Sequence, residues 1–207
     1  MSTTPRSVLA VGSHPDDIEL GCGGTLARHA ASGDRVTMLV VTHGQSGPGD
    51  VLGRIAEQED AAATLGADLL WGGLRDGEVS NHELELVHLI ESAIRSVAAD
   101  VVYTHGADDT HQDHRAVALA TLGAARHCRQ VLTYESPSSF GFRPHLFVDI
   151  TSALDKKTAA LGCHRSQVAD SRMVDLDVVR NQAGYRGFQS RVGCAEGFVP
   201  HRLVLEV

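Results

Sequence analysis

Five short apolar runs, separated by longer stretches with helical periodicity, limit what this chain can become. Residues 7–13 (SVLAVGS), 35–44 (RVTMLVVTHG), 100–106 (DVVYTHG) and 130–136 (QVLTYES) read as buried strands, and 68–73 (DLLWGG) as a weaker one. Between them, residues 24–33 (closed by Gly33), 53–67, 82–99 and 114–128 carry apolar residues at the spacing of a helix face. Strands that are apolar throughout, rather than at every second position, are covered on both faces, and the intervening helices supply that cover. The expectation is an α/β fold, a mostly parallel sheet with helices on both faces. After residue 136 the rhythm changes: 137–151 is loop-rich with room for one extra strand, 152–168 is helical, and the tail from Gly184 is rich in Gly and aromatics. This C-terminal part reads as an appendage that packs on the same core and lines or covers the site.

Composition fits one domain over residues 1–207. A chain of that length with 43% hydrophobic residues buries roughly two-thirds of the surface exposed when unfolded. The formal charge, 18 minus 26 or −8, comes with no Lys/Arg run. That argues against a nucleic-acid or anionic-membrane partner and for a small-molecule one. The first residues hold too short an apolar core for a secretion signal, and no run approaches the ~20 apolar residues of a membrane-spanning helix. A cytoplasmic location is expected. Cys22, Cys128, Cys163 and Cys194 form no CxxC pair and read as free thiols. No segment signals a specific interface, although a homo-oligomer is common for this class.

In an open parallel sheet, ligands bind beyond the carboxyl ends of the strands, near the point where strand order reverses. Here the first strand runs into His14, Asp16 and Asp17, the second into His43, and the strand at 100–106 into His105, Asp108, Asp109, His111, Asp113 and His114. His14 and Asp17 are three apart, as are His111 and His114, so each pair can share one face of a helical turn. Catalytic zinc takes about three protein N/O ligands and keeps one position open. Two histidines and a carboxylate from these clusters meet that count, and the donor types admit Zn2+, Fe2+ or another divalent ion. Singly, each cluster has a bland reading: HPDD as a helix cap with Pro15 at the first helical position, HQDH as a surface pair. Together, at the ends of two strands, they favour a metal site with acids left over for proton transfer. Gly21, Gly23 and Gly24 form GxGG rather than the dinucleotide fingerprint GxGxxG. The glycines are expected to bring the helix close to the sheet and to leave room beside the acids for substrate.

The residues HPDD-x-E followed by GCGGTLA, the later His-x-Asp-His at 111–114, and HRSQ followed by AEGF resemble the PIG-L/LmbE-like N-deacetylases over nearly the whole chain. The resemblance implies a Rossmann-like fold and a zinc-type metal site. It implies hydrolysis of the N-acetyl group of an N-acetylglucosamine-containing small-molecule conjugate, giving acetate and a free amine. It also implies that His14, Asp17 and His114 are metal ligands, Asp16 the general base, His111 the oxyanion-stabilising or proton-donating residue, and Asp113 its orienting acid. Arg54 and Asp76 fall where family members contact the sugar. His43 is left as a substrate contact or a strand-end histidine, and Glu19 as a hydrogen-bond partner behind the ligands. An amidase of a larger thiol conjugate and a catalytically idle metal-binding homologue are the alternatives.

Overall fold

The computed structural model of the protein describes residues 4–170 and 174–204. Its strands are β1 (Ser7–Gly12), β2 (Arg35–Thr42), β3 (Asp68–Leu74), β4 (Val101–Thr104), β5 (Gln130–Tyr134), β6 (Leu146–Asp149) and β7 (Ala195–Leu203). The helices are α1 (Asp17–Ala31), α2 (Val51–Leu65), α3 (Glu83–Val97), α4 (Gln112–Ala124), α5 (Leu154–Cys163), α6 (Arg165–Asp170) and α7 (Leu176–Ser190). One sheet runs in the order β3-β2-β1-β4-β5-β7-β6. The pairs β1–β2, β2–β3, β1–β4 and β4–β5 are parallel, as the uninterrupted apolar runs require. Strand order reverses between β1 and β4, so the segments that follow these two strands emerge side by side.

Successive side chains of β1 point to opposite faces. Val8 and Ala10 enter a core with Leu26 of α1, Ala61 and Leu65 of α2, Ala160 of α5 and Ala183 of α7. Leu9 and Val11 enter a second core with Leu86 and Ile90 of α3 and Val117 and Ala120 of α4. These β1 residues are fully buried, so the strand carrying HPDD is fixed from both sides.

The C-terminal part departs most from expectation. The extra strand foreseen in 137–151 is β6, and the helical stretch 152–168 is broken at His164 into α5 and α6. The sequence reading did not anticipate β7, which runs antiparallel between β5 and β6. Its Pro200, which removes a ladder donor and disguised the strand, pairs with Leu132 at a register shift, where a proline is tolerated.

Helix α1 starts at Asp17, seven residues before the expected residue 24, and takes in the glycine cluster. It is two helical pieces joined at Cys22, whose φ of −145° is not helical. The amides of Gly24 and Thr25, freed by that kink, donate to the Glu196 carboxylate of β7 at 2.9 and 2.7 Å, and Lys157 of α5 pairs with the same carboxylate. The close approach foreseen for the glycines is real, but what they make room for is protein. A Cβ at Gly21 would collide with the Tyr134 ring, and one at Gly24 would lie 2.8 Å from Ile150. Tyr134 cannot withdraw, because it is fully buried and its hydroxyl donates to the Val11 carbonyl at 2.8 Å. Gly21→Ala should therefore destabilise the protein by about 1–3 kcal/mol through overpacking, read as a lower midpoint in thermal or urea unfolding.

Candidate active site

The β1–α1 turn and the β4–α4 loop meet where the strand order reverses. His14 Nδ1 lies 3.2 Å from Asp17 Oδ2 and 3.3 Å from His114 Nε2, and His114 Nε2 lies 3.3 Å from Asp17 Oδ1. Zinc bonds of about 2.0–2.1 Å in tetrahedral geometry set donors about 3.3 Å apart. The triangle therefore fits a divalent metal, and two imidazoles with one carboxylate suit zinc or iron.

The outer nitrogens of both histidines face carboxylates. His14 Nε2 is 3.1 Å from Asp76 and 3.3 Å from Asp113. His114 Nδ1 is 3.1 Å from Asp109, which is itself held by the Ser136 hydroxyl. Such partners fix which nitrogen is offered to a metal. Burial pulls the His14 pKa down, but its bonds to Asp113, Asp17 and Asp76 carry it well above the usual value. For His114 the same opposition, burial against Asp17 and Asp109, ends at about 9.

The cap reading of HPDD fails, and that frees its acids. Asp16 is the N-cap of α1 but makes no side-chain capping bond, and Asp17 accepts from the His14 amide at 2.8 Å. Asp16 is nearly buried. Desolvation first, then the neighbouring Asp17 charge, raise its pKa to about 7, against His164 and Arg54. His111 caps α4 instead: its Nδ1 accepts from the Asp113 amide at 3.2 Å. Burial and the His114 and His14 charges lower its pKa. The proton of this neutral ring is therefore on Nε2.

The remaining expected residues sit as follows. The Asp113 carboxylate bears on His14 and the Gly77 amide rather than on His111, which it meets through its backbone. Asp76 accepts from the Ser46 amide at 2.9 Å as well as facing His14. Arg54 is buried, donating to the carbonyls of Gly44 at 2.6 Å and Pro15 at 3.2 Å, with Asp16 Oδ2 at 3.8 Å. The His43 ring packs tilted against Trp71, ring centroids 4.6 Å apart. Glu19 is fully buried behind the turn and accepts from Gln58 at 2.6 Å.

A family model described as PIG-L, GlcNAc-PI de-N-acetylase, matches residues 9–125, the stretch that holds both loops. The chain belongs to the PIG-L family. This is a family of deacetylases, hydrolases that act on amide bonds. A PIG-L relative, the uncharacterized deacetylase YaiS of Escherichia coli (strain K12), is 36% identical over 169 residues, covering 78% of this chain and 91% of its own length. The 4-oxalmesaconate hydratase of Pseudomonas putida is 24% identical over 196 residues, covering 81% of this chain and 76% of the hydratase. The crystal structure of the conserved protein TT1542 from Thermus thermophilus superposes with a TM-score of 0.88 at 29% identity, over 98% of this chain and 97% of that one.

Sequence reasoning placed Asp109 and His105 at the strand end but gave them no role. Asp109 is the carboxylate behind His114, and no spacing rule separates it from its neighbour Asp108. His105 is fully buried, accepts from the Ser13 amide at 3.1 Å and stacks on His114 at 4.0 Å. Desolvation and the His114 charge drop its pKa to about 4, so it is neutral. The high pKa of His114 has a measurable consequence for this PIG-L site. A metal must displace its proton below about pH 9, so metal affinity should rise with pH across the neutral range. Calorimetry in buffers of different ionisation enthalpy should show proton release on metal binding at pH 7, and none from His114 above pH 9.

Proposed function

We propose that the chain is a metal-dependent N-deacetylase of small N-acetylglucosamine-containing conjugates, releasing acetate and a free amine. The observation that carries this reading is the convergence of His14, Asp17 and His114 at one point, with the carboxyl of Asp16 next in the chain. It is supported by the description of the family model. Zinc or another divalent ion held by these three residues would polarise the amide carbonyl and acidify a water. The Asp16 carboxylate takes the proton of the attacking water. As the water oxygen bonds to the carbonyl carbon, negative charge grows on the carbonyl oxygen, and the Nε2–H of His111 is the donor for it. Cleavage of the C–N bond follows, with the proton on Asp16 passing to the departing nitrogen.

Asp113 orients His111 through its amide and His14 through its carboxylate. Asp76 is better placed than Arg54 for a sugar hydroxyl, since its oxygens keep free lone pairs. Arg54 is enclosed, and its role is to hold the β2–α2 loop and the Pro15 carbonyl. Among the described residues no helix is long and apolar enough to cross a membrane.

The hydratase relative favours a second reading, because a base beside a metal-activated water also serves addition of water to a C=C bond. Acetate release from a panel of N-acetylglucosaminides, run beside loss of ultraviolet absorbance from unsaturated tricarboxylates such as 4-oxalmesaconate, separates the two. Acetate is expected, and turnover of the unsaturated acids alone would overturn the deacetylase reading. Asp16→Asn should lower kcat by about 10²–10⁴-fold while metal content by elemental analysis stays at the wild-type level. Because Asp16 acts ionised and its pKa is raised to about 7, kcat/KM should fall as pH drops below about 7. A flat profile down to pH 5 would assign the base elsewhere.

A further inference from the structure

Asp16 has a backbone conformation that its position does not explain. Its φ and ψ are 91° and −25°, in the left-handed region. Among the described residues two other non-glycines share a positive φ, Ala98 and Arg191, and both are C-caps, at the ends of α3 and α7. A left-handed residue is routine after a helix. Asp16 stands before one, so something must hold it there.

The side chain that reaches its backbone is Gln58 of α2. Gln58 Oε1 accepts from the Asp16 amide at 3.3 Å, and Gln58 Nε2 donates to Glu19 Oε1 at 2.6 Å. Gln58 and Glu19 are both fully buried. A carboxylate only accepts, so Glu19 dictates which end of the carboxamide faces Asp16, and the amide cannot flip without losing both bonds. Behind Glu19 lies His164, also fully buried, with Nε2 3.3 Å from Glu19 Oε1. One turn earlier on the same face of α2, Arg54 holds the adjoining Pro15 carbonyl. The peptide link before Asp16 is thus gripped on both sides, its carbonyl by Arg54 and its amide by Gln58.

We propose that Gln58 is a positioning residue for the general base: anchored on Glu19, its carboxamide keeps Asp16 in the left-handed conformation from which the carboxylate works. The role of the base rests on the deacetylase reading, whereas the backbone restraint does not. The hydrogen bonds of Gln58 go to the Asp16 amide and to Glu19 rather than to the candidate metal ligands, so its effect runs through Asp16.

Gln58→Met keeps the side chain's length and removes both hydrogen bonds. The expected result is a fall in kcat of about 10- to 100-fold, with KM within about twofold and metal content unchanged. A crystal structure of this variant should show φ of Asp16 returned to negative values. In the Asp16→Asn background the same substitution should cost nothing further, because a residue that acts only through the base is silent once the base is gone. Should Gln58→Met not fold, Glu19→Met removes the acceptor for Gln58 Nε2 while leaving Gln58 in place, and kcat should fall there too, again with metal retained. A Gln58→Met enzyme with wild-type kcat, a positive φ at Asp16, or an additive loss in the double variant would overturn the proposal. Absence of acetate release by the unaltered protein would sink the deacetylase reading instead, and the φ measurement would still decide the restraint.

Discussion

Side-by-side packing of β1 and β4 governs the rest of this molecule. The parallel pair ends in two polar segments that cannot avoid each other, and Asp16, Asp17, His105, Asp109, Asp113 and His114 within them are buried. Charged groups buried this way persist only when each meets a partner. His14 sits among Asp17, Asp76 and Asp113, and His114 between Asp17 and Asp109. Each imidazole of the triangle meets carboxylates as well as its neighbouring rings, so neither His14 nor His114 is left to face only its own kind. A divalent ion bound at the triangle would add positive charge at its centre and replace protons there.

Much of this was legible because hydrophobic periodicity and strand-end chemistry are local signals. The parallel strands β1, β2, β4 and β5 read as uninterrupted apolar runs, and the HPDD and HQDH segments stand directly after two of them. The order reversal that joins the segments follows from a general rule of such sheets rather than from any residue. What stayed hidden depends on partners far along the chain. β7 contains Gly197 and Pro200, which read as loop residues until the register shift beside Pro200 and the antiparallel neighbours are seen. The start of α1 was displaced because glycines usually end helices. Here a carboxylate from β7 supplies the missing cap, and Tyr134 and Ile150 fill the space.

Roles within the site show the same division. The pairing of His14 with Asp17 follows from i, i+3 spacing, a property of one turn, whereas the choice of His114 over His111 as the third candidate ligand came only with the family resemblance. The split of labour among Asp76, Asp109 and Asp113 depends on which ring nitrogen each one faces, and that is set by tertiary packing. Arg54 illustrates the point. A buried arginine with its fork on two carbonyls and a surface arginine ready for a sugar look identical in sequence.

The kinked α1 also bears on how the protein is made. Its second half is capped by Glu196, which bonds the Thr25 amide across 171 positions of chain. A nascent chain that has exposed both polar segments still lacks this cap and the strand that carries it. Contacts so distant in sequence close slowly, so during synthesis the second half of α1 can be capped only after Glu196 has been made.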